Sequence, residues 1–378
     1  MQETGRLAIG IPGTFRTSSR HGTPEGAPDG RRERRSDVLT LRVGLFGCGR
    51  IAGYFHAPIL ARMPGVTVTA LADRDPSARK RFAAIVPGAT LYADWRRPLE
   101  LGEVDAAVIC LPPAQHAPAA IAAFEAGAHV YVEKPLALSL EEADAMIAAQ
   151  ARSGCVGMTG LNFRHHPLVV DLRARLAAGE WGALKGVRSI FTSAARALPG
   201  WKGEKGQGGD AISDLGTHQF DLLPFVTGRD LDAATLACRD LPTPAGTLAA
   251  VLGTLDGVPL SMTLGQVTGQ SSHAVELLCE KAHVLLDLAG PGRLAAGAPE
   301  RPAGRARAGI AALAPRAVLA RGGDRSFEAA LATFVDGCTG NGSPMPDLAD
   351  GRRALSLALA ASAAAEAART PTRHEAAA

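Results

Sequence analysis

The stretch Leu41–Gly53 reads Leu-Arg-Val-Gly-Leu-Phe-Gly-Cys-Gly-Arg-Ile-Ala-Gly, and it restricts the possible folds more than any other part of the chain. Leu41, Val43, Leu45 and Phe46 have the pattern of a short buried strand. An apolar helical pattern follows from Ile51 towards Met63, with Gly47-x-Gly49-x-x-Ala52 at the junction. In such a junction Gly47 permits the tight turn, and Gly49 has no Cβ to keep a pyrophosphate off the backbone. Ala52 lets the helix lie close on the strand. The amides at the helix start offer phosphate both hydrogen bonds and a partial positive charge. Gly47, Gly49, Arg50 and Ile51 are therefore candidate dinucleotide ligands. An ordinary glycine-rich turn is the competing reading, and the context decides between them.

That context is a regular alternation of strands and helices. Val66–Ala72 is a second apolar strand ending at Asp73, which lies 26 residues beyond Gly47, where an acid would bind ribose hydroxyls. Arg74 follows and could instead face a 2′-phosphate. A helix at Pro76–Ile85 and a short segment around Ala89–Tyr92 come next, then a strand at Asp105–Leu111 and a helix from Ala117 to Ala126. Val130–Val132 opens a strand that ends at Glu133-Lys134-Pro135, and Ser139 with Glu142 forms a capping box for the following helix. The order implies a doubly wound parallel sheet, with ligands outside the carboxyl ends of its strands. Asp73, Pro112, His116, Glu133 and Lys134 fall at such ends.

Beyond Gly154 the rhythm changes. Cys155–Phe163 and Lys185–Ala194 read as strands flanking a helix at Pro167–Ala178, and strand patterns recur at 232–240, 247–255, 258–267, 273–279 and 283–288. Strands grouped this way predict a second, α+β domain with an open, mainly antiparallel sheet. The expected organisation is a disordered tail at 1–37, a Rossmann domain at 38–154 and the α+β domain at 155–370. Within the last, 289–322 is expected to be a mobile loop, and 371–378 is a tail.

Of the net charge of +3, residues 1–37 contribute +2 and residues 289–325 contribute +5, which leaves the body at −4. A slightly acidic body speaks against nucleic acid as a partner. The six Cys lack any C-x-x-C or zinc spacing, so no metal site is expected, and they suit a reducing cytoplasm. No apolar run is long enough to span a membrane.

Asp214, His218 and Asp221 are spaced i, i+4, i+7, which on an α-helix places all three on one face. Histidine suits proton transfer near neutral pH, and a carboxylate one turn away can orient it. Lys134 offers a fixed positive charge beside an oxygen that becomes alkoxide. Each has a plainer reading too: a solvated strand-end lysine, a core or capping histidine.

Four segments carry a resemblance to a known family. They are His129-Val-Tyr-Val-Glu-Lys-Pro135, Gly208-Gly209-Asp210-Ala-Ile-Ser-Asp214-Leu-Gly216-Thr-His218-Gln-Phe-Asp221, Pro112-Pro113-Ala-Gln-His116 and Asn162-Phe-Arg164-His-His-Pro167. In order and kind they resemble the glucose–fructose oxidoreductase / inositol dehydrogenase (Gfo/Idh/MocA) family, across about residues 41 to 370. The resemblance implies NAD or NADP as cofactor, with Asp73 leaning towards NAD, and an open sheet used in homo-oligomer contacts, a dimer or tetramer. It places the catalytic lysine at Lys134 and the family's Asp and His at Asp214 and His218. Lys134, Arg164, Asp214 and His218 become the expected substrate-binding residues, with His166 near the same side and Asp221 in support; a structural arginine at a strand end is an equal reading of Arg164. Asp210 stands where the family usually has glycine, which adds a charge near the site.

The function expected is hydride transfer between a nicotinamide cofactor and a secondary alcohol or ketone of a sugar, cyclitol or related polyol. His218, where nucleotide-sugar ketoreductases of the family often carry Tyr, leans towards inositol-dehydrogenase-like chemistry. Two alternatives stay open: an NAD-using glycosidase or epimerase of the same fold, and a sensor that binds dinucleotide and sugar without turnover.

Overall fold

The computed structural model describes residues 40–194, 207–243, 246–289, 292–297, 318–319, 325–343 and 345–369. The tails expected at 1–37 and 371–378 lie outside the described residues.

Six strands form a wholly parallel sheet: β1 (Leu41–Phe46), β2 (Val66–Ala72), β3 (Thr90–Tyr92), β4 (Ala106–Ile109), β5 (His129–Glu133) and β6 (Gly157–Gly160). Their order is β3-β2-β1-β4-β5-β6, the doubly wound arrangement. The chain steps outward from β1 to β3 and then crosses back to β4, so the loops after β1 and β4 diverge and open a crevice. All of β4 is buried, because helices cover both faces. On one face α1 (Ala57–Leu60) and α2 (Pro76–Ala83) set Leu60 and Phe82 on Leu45, Leu71 and Val108. On the other, α3 (Arg96–Glu100), α4 (His116–Glu125) and α5 (Leu140–Ser153) pack Leu99, Phe124 and Met146 over Ile109, Val130 and Val132. The residue before α5, Ser139, accepts a hydrogen bond from the Glu142 amide at 3.2 Å, and Glu142 reaches back to the Leu138 amide at 2.9 Å.

A second sheet follows α6 (Pro167–Ala177). Its strands are β7 (Leu184–Ala194), β8 (Ala237–Thr243), β9 (Gly246–Leu255), β10 (Val258–Thr268), β11 (Ser272–Cys279), β12 (His283–Asp287), β13 (Arg293–Gly297) and β14 (Val318–Leu319). They run in the order β14-β13-β12-β11-β7-β10-β9-β8, and every pairing except β7 with β10 is antiparallel. Along β10, Leu260, Met262 and Leu264 are buried while Pro259 and Thr263 are exposed, the period-two pattern of a sheet covered on one side. The cover comes from α6 and α7 (Thr217–Thr227), whose Leu172, Leu222 and Leu223 meet Val187, Leu264 and Val275.

Three expectations need correction. The strand expected at Cys155–Phe163 closes the parallel sheet, with β6 paired to β5, so that sheet runs past the boundary set at residue 154. The expected loop at 289–322 contains β13 and β14, held by Leu286↔Leu294 and Leu294↔Val318 pairing; the rest of it lies outside the described residues. The closing helices also return to the first sheet. α8 (Ser326–Cys338) places Ala330, Leu331 and Phe334 in the cluster of Val43, Leu45, Tyr131 and Met158. α9 (Leu348–Arg369) puts Leu348 and Leu355 with the first sheet and Leu357, Ala358 and Ala361 with the second, tying the two layers together.

Candidate active site

A cleft of about 1040 Å³ runs from the carboxyl ends of β1, β2, β4 and β5 to the carboxyl end of β7 and the start of the helix that leads into α7. Its walls bring together nearly all the residues singled out from sequence: Gly47, Gly49, Arg50, Ile51, Asp73 and Arg74 at one end, and Pro112, His116, Glu133, Lys134, Asp214 and His218 towards the other.

The glycine loop separates two physical causes. A Cβ on Gly47 would lie 2.5 Å from the Cys110 carbonyl oxygen, and its φ is +96°, so the chain itself demands glycine there. At Gly49 φ is ordinary and, among the described residues beyond its chain neighbours, no atom lies within 4 Å of where a Cβ would stand. Nothing in the fold forbids a side chain at 49. The bare backbone faces open cleft, which is the space a pyrophosphate needs. Asp73 closes the loop from the next strand: its Oδ2 accepts from the Cys48 amide at 2.7 Å and its Oδ1 from the Asp75 amide at 2.8 Å. Each oxygen keeps lone-pair capacity for a ribose hydroxyl. Arg50, over the Tyr54 ring at 5.4 Å, and Arg74 are both exposed. These groups fit a dinucleotide.

His116 was expected to contact the cofactor, and it does line the cleft, yet its ring nitrogens are occupied. Nδ1 lies 2.8 Å from the Pro135 carbonyl and Nε2 2.8 Å from the Leu111 carbonyl, so the ring braces the loop after β4 against the one after β5. Two carbonyl partners suit a ring that donates from both nitrogens, and burial works against them, pushing its pKa below the ordinary value.

Lys134 extends from the end of β5 to Asp214. Its Nζ donates to Asp214 Oδ1 at 2.5 Å and to the Asp214 carbonyl at 3.0 Å. Asp214 Oδ2 accepts from Nε2 of Gln266 on β10 at 3.0 Å. The carboxylate is thus clamped between the two sheets, and the ammonium with it. His218, half-buried, sets its ring edge-on to Phe163 (centroids 4.8 Å apart, 61°) and tilted to Phe191 (5.9 Å, 54°). The helix bearing both residues opens with a π-helical turn at Ile212–Gly216. Such widened turns recur at functional sites. Asp210 explains its departure from glycine: Oδ1 accepts from the Ile212 and Ser213 amides at 2.9 and 3.0 Å, and Oδ2 from Ser213 Oγ at 2.7 Å. It caps the helix and satisfies amides that would otherwise lack partners. The charge expected in the pocket is spent on the helix start.

Arg164 and Asp221 are placed elsewhere. Arg164 Nε donates to both Asp221 oxygens at 3.0 and 2.9 Å, its Nη2 also bonds Asp221, and its Nη1 pairs with Asp350 at 3.1 Å. Neither Arg164 nor Asp221 is among the residues lining the cleft. The expected substrate contact from Arg164 is therefore replaced by a buried ion cluster joining the turn after β6 to α7 and α9. Of the i, i+4, i+7 triplet only Asp214 and His218 line the cleft, while Asp221 pairs with Arg164. His166 turns inward as well: it is buried and its Nδ1 accepts from the Leu168 amide, capping α6.

Sequence reasoning missed Gln266 and the aromatic pair around His218. Gln266 had a signal, a polar residue at the next inward position after Leu260, Met262 and Leu264. Phe163 and Phe191 had none, since their meeting depends on how β7 crosses the segment after β6.

Two family descriptions match the chain: "Oxidoreductase family, NAD-binding Rossmann fold" over residues 41–161 and "GFO/IDH/MocA C-terminal domain" over residues 169–285. A dTDP-3,4-didehydro-2,6-dideoxy-alpha-D-glucose 3-reductase from Actinomadura kijaniata is 30% identical over 236 residues, 62% of this chain and 70% of that protein. A myo-inositol dehydrogenase from Streptomyces leeuwenhoekii is 29% identical over 206 residues, 53% of this chain and 62% of its own length. The crystal structure of an oxidoreductase domain protein from Kribbella flavida superposes with a TM-score of 0.75 at 24% identity, covering 88% of this chain and 98% of that one. Among the described residues no helix is long and apolar enough to cross a membrane, and no group of three or more His, Cys, Asp or Glu could hold a metal ion.

Proposed function

The chain belongs to the Gfo/Idh/MocA oxidoreductase family, with its NAD-binding Rossmann domain, and from that premise we propose that it is an NAD(P)-dependent dehydrogenase acting on a secondary alcohol, or the matching ketone, of a sugar, cyclitol or related polyol. The observation that carries this reading is the clamped Lys134–Asp214 pair in one cleft with His218 and the bare Gly49 backbone. A bound dinucleotide supplies the hydride acceptor or donor. The chain's own residues do the rest. His218 takes the hydroxyl proton as general base, and its contacts with Phe163 and Phe191 hold the ring plane. Lys134 places a positive charge where oxygen becomes alkoxide, and Asp214 and Gln266 fix that charge in position beforehand.

The two relatives bracket the substrate class, one named for a nucleotide-linked deoxyketosugar and the other for a free cyclitol. Histidine at 218 supports the free polyol. Incubating the purified protein with NAD or NADP and a panel of cyclitols, free sugars, glycosides and nucleotide sugars, while following reduced nicotinamide, tests the reading. Oxidation of at least one free polyol or glycoside is expected. Turnover restricted to nucleotide sugars would reverse the substrate assignment, and no turnover with any class would sink the enzyme reading.

NAD is the expected cofactor, since the Asp73 carboxylate, held at the cleft edge by two amides, accepts from a ribose diol and repels a 2′-phosphate. Asp73→Ser should raise the efficiency with NADP relative to NAD. Wild-type protein that already prefers NADP would show that Arg74 dominates.

A further inference from the structure

A buried pair beside Lys134 bears on which form of the cofactor the cleft holds. Glu133 ends β5, is 8% exposed and lines the cleft. Its Oε1 lies 2.7 Å from Nε2 of His56, and its Oε2 accepts from the Lys134 amide at 3.3 Å. His56 is fully buried, its ring edge-on to Tyr131 (5.4 Å, 66°) and Phe327 (5.6 Å, 81°). Its Nδ1 has no hydrogen-bond partner among the described residues. A protonated ring would strand a cationic N–H in that aromatic surround, whereas a neutral ring strands only a lone pair. The geometry therefore favours the neutral tautomer, with Nε2–H donating to Glu133.

The other titratable groups near Glu133 do not cancel its charge. The Lys134 ammonium is matched by Asp214 at 2.5 Å. On α4, burial pushes His116 below its ordinary value, and burial raises Cys110 and Tyr131 well above theirs, so those two stay protonated. A full negative charge thus stands in the cleft wall at the strand end that also presents Lys134.

We propose that Glu133, hydrogen-bonded to His56 in the cleft wall, makes the cleft favour the oxidised dinucleotide, whose nicotinamide ring is cationic, over the reduced form, whose ring is neutral. The inference rests on the reading of the cleft as a dinucleotide site with its nicotinamide end beside Lys134. His56 acts through Glu133 and is a positioning residue. A ligand shifts an equilibrium by its differential affinity for the two states, so the same charge favours release of reduced cofactor and biases the enzyme towards resting in the oxidised complex.

Affinities for NAD and NADH, measured by calorimetry without any substrate, test this in wild type, Glu133→Gln, His56→Phe and His56→Gln. Removing the charge in Glu133→Gln should move the ratio of the two dissociation constants against the oxidised form by on the order of 10-fold, about 1.4 kcal/mol. His56→Phe should shift it the same way, and the double variant Glu133→Gln/His56→Phe should go no further. His56→Gln, which keeps an N–H donor, should hold the wild-type ratio. A general loss of packing lowers both affinities together and leaves the ratio unmoved, so an unchanged ratio in Glu133→Gln overturns the proposal even if His56→Phe fails to fold. Wild-type protein that binds neither nucleotide would overturn the dinucleotide reading itself, a different result from an unmoved ratio.

Discussion

His218→Ala protein is expected to fold, to bind dinucleotide as wild type does, and to turn over about 10²–10⁴-fold more slowly, the range in which a positioned general base contributes. On the proposed reading the dinucleotide is held by the loop from Gly47 to Ala52 and by Asp73, while the ring contacts of His218 are with Phe163 and Phe191. The ring is half-buried and lines the cleft, so truncating it removes a wall group more than a core group. Lys134→Ala should act similarly, and with a second effect: it leaves the Asp214 carboxylate, clamped by Gln266, without its ammonium. On the proposed mechanism the two residues serve one proton-and-charge event, so the double variant should lose far less than the product of the single effects. Turnover, cofactor affinity and melting temperature measured on the same three proteins decide the matter. Near-normal turnover in folded His218→Ala would reduce His218 to a packing residue.

Arg164→Ala is expected to be the most destabilising single change near the site, at about 3–5 kcal/mol, the range found when one partner of a buried ion pair is removed. Asp221 and Asp350 are 5% and 2% exposed, and Arg164 bonds both. Without it Asp221 stays buried beside Asp350, which keeps its ion pair with Arg353. Burial already pushes the Asp221 carboxyl up to about 6 against the opposing pull of Arg164, and the variant should raise it further. A carboxyl whose folded pKa exceeds its unfolded value binds its proton more tightly in the native state. Its cost is therefore absent below the unfolded value of about 4 and grows as pH rises towards and past the folded value. Denaturant unfolding should accordingly show a larger deficit at pH 7 than at pH 5. A variant as stable as wild type but with weakened substrate affinity would restore Arg164 to the substrate pocket.

The parallel sheet was legible because each βα unit carries its own punctuation: an apolar run, a turn residue at its end and a cap at the next helix. The glycine loop, Asp73, Glu133 and Lys134 follow from that pattern, since strand ends of a doubly wound sheet converge by topology. What the pattern could not give was long-range. The apolar stripe of α8 announces a buried face without naming the sheet it covers, and β6 is too short and glycine-bounded to declare its partner. Arg164 failed for a related reason. A polar residue in a family motif was read as a ligand contact, whereas Asp350, 186 residues away, reaches it through the returning α9. His56 sits in line with Ala52 and Leu60 on a buried helical stripe, so its presence was readable, but its carboxylate partner lay on another strand.

The central claim is that hydride passes between a substrate carbinol carbon and a nicotinamide held in this cleft. Its most direct test uses the best substrate of the polyol panel, deuterated at the oxidised carbon, in a single turnover with stoichiometric enzyme and oxidised cofactor. The account predicts deuterium in the reduced nicotinamide and ketone in equal amount. Product formed with the label still on sugar carbon and no reduced nicotinamide left at the end would contradict net oxidation, and would favour a reaction in which the cofactor is not consumed.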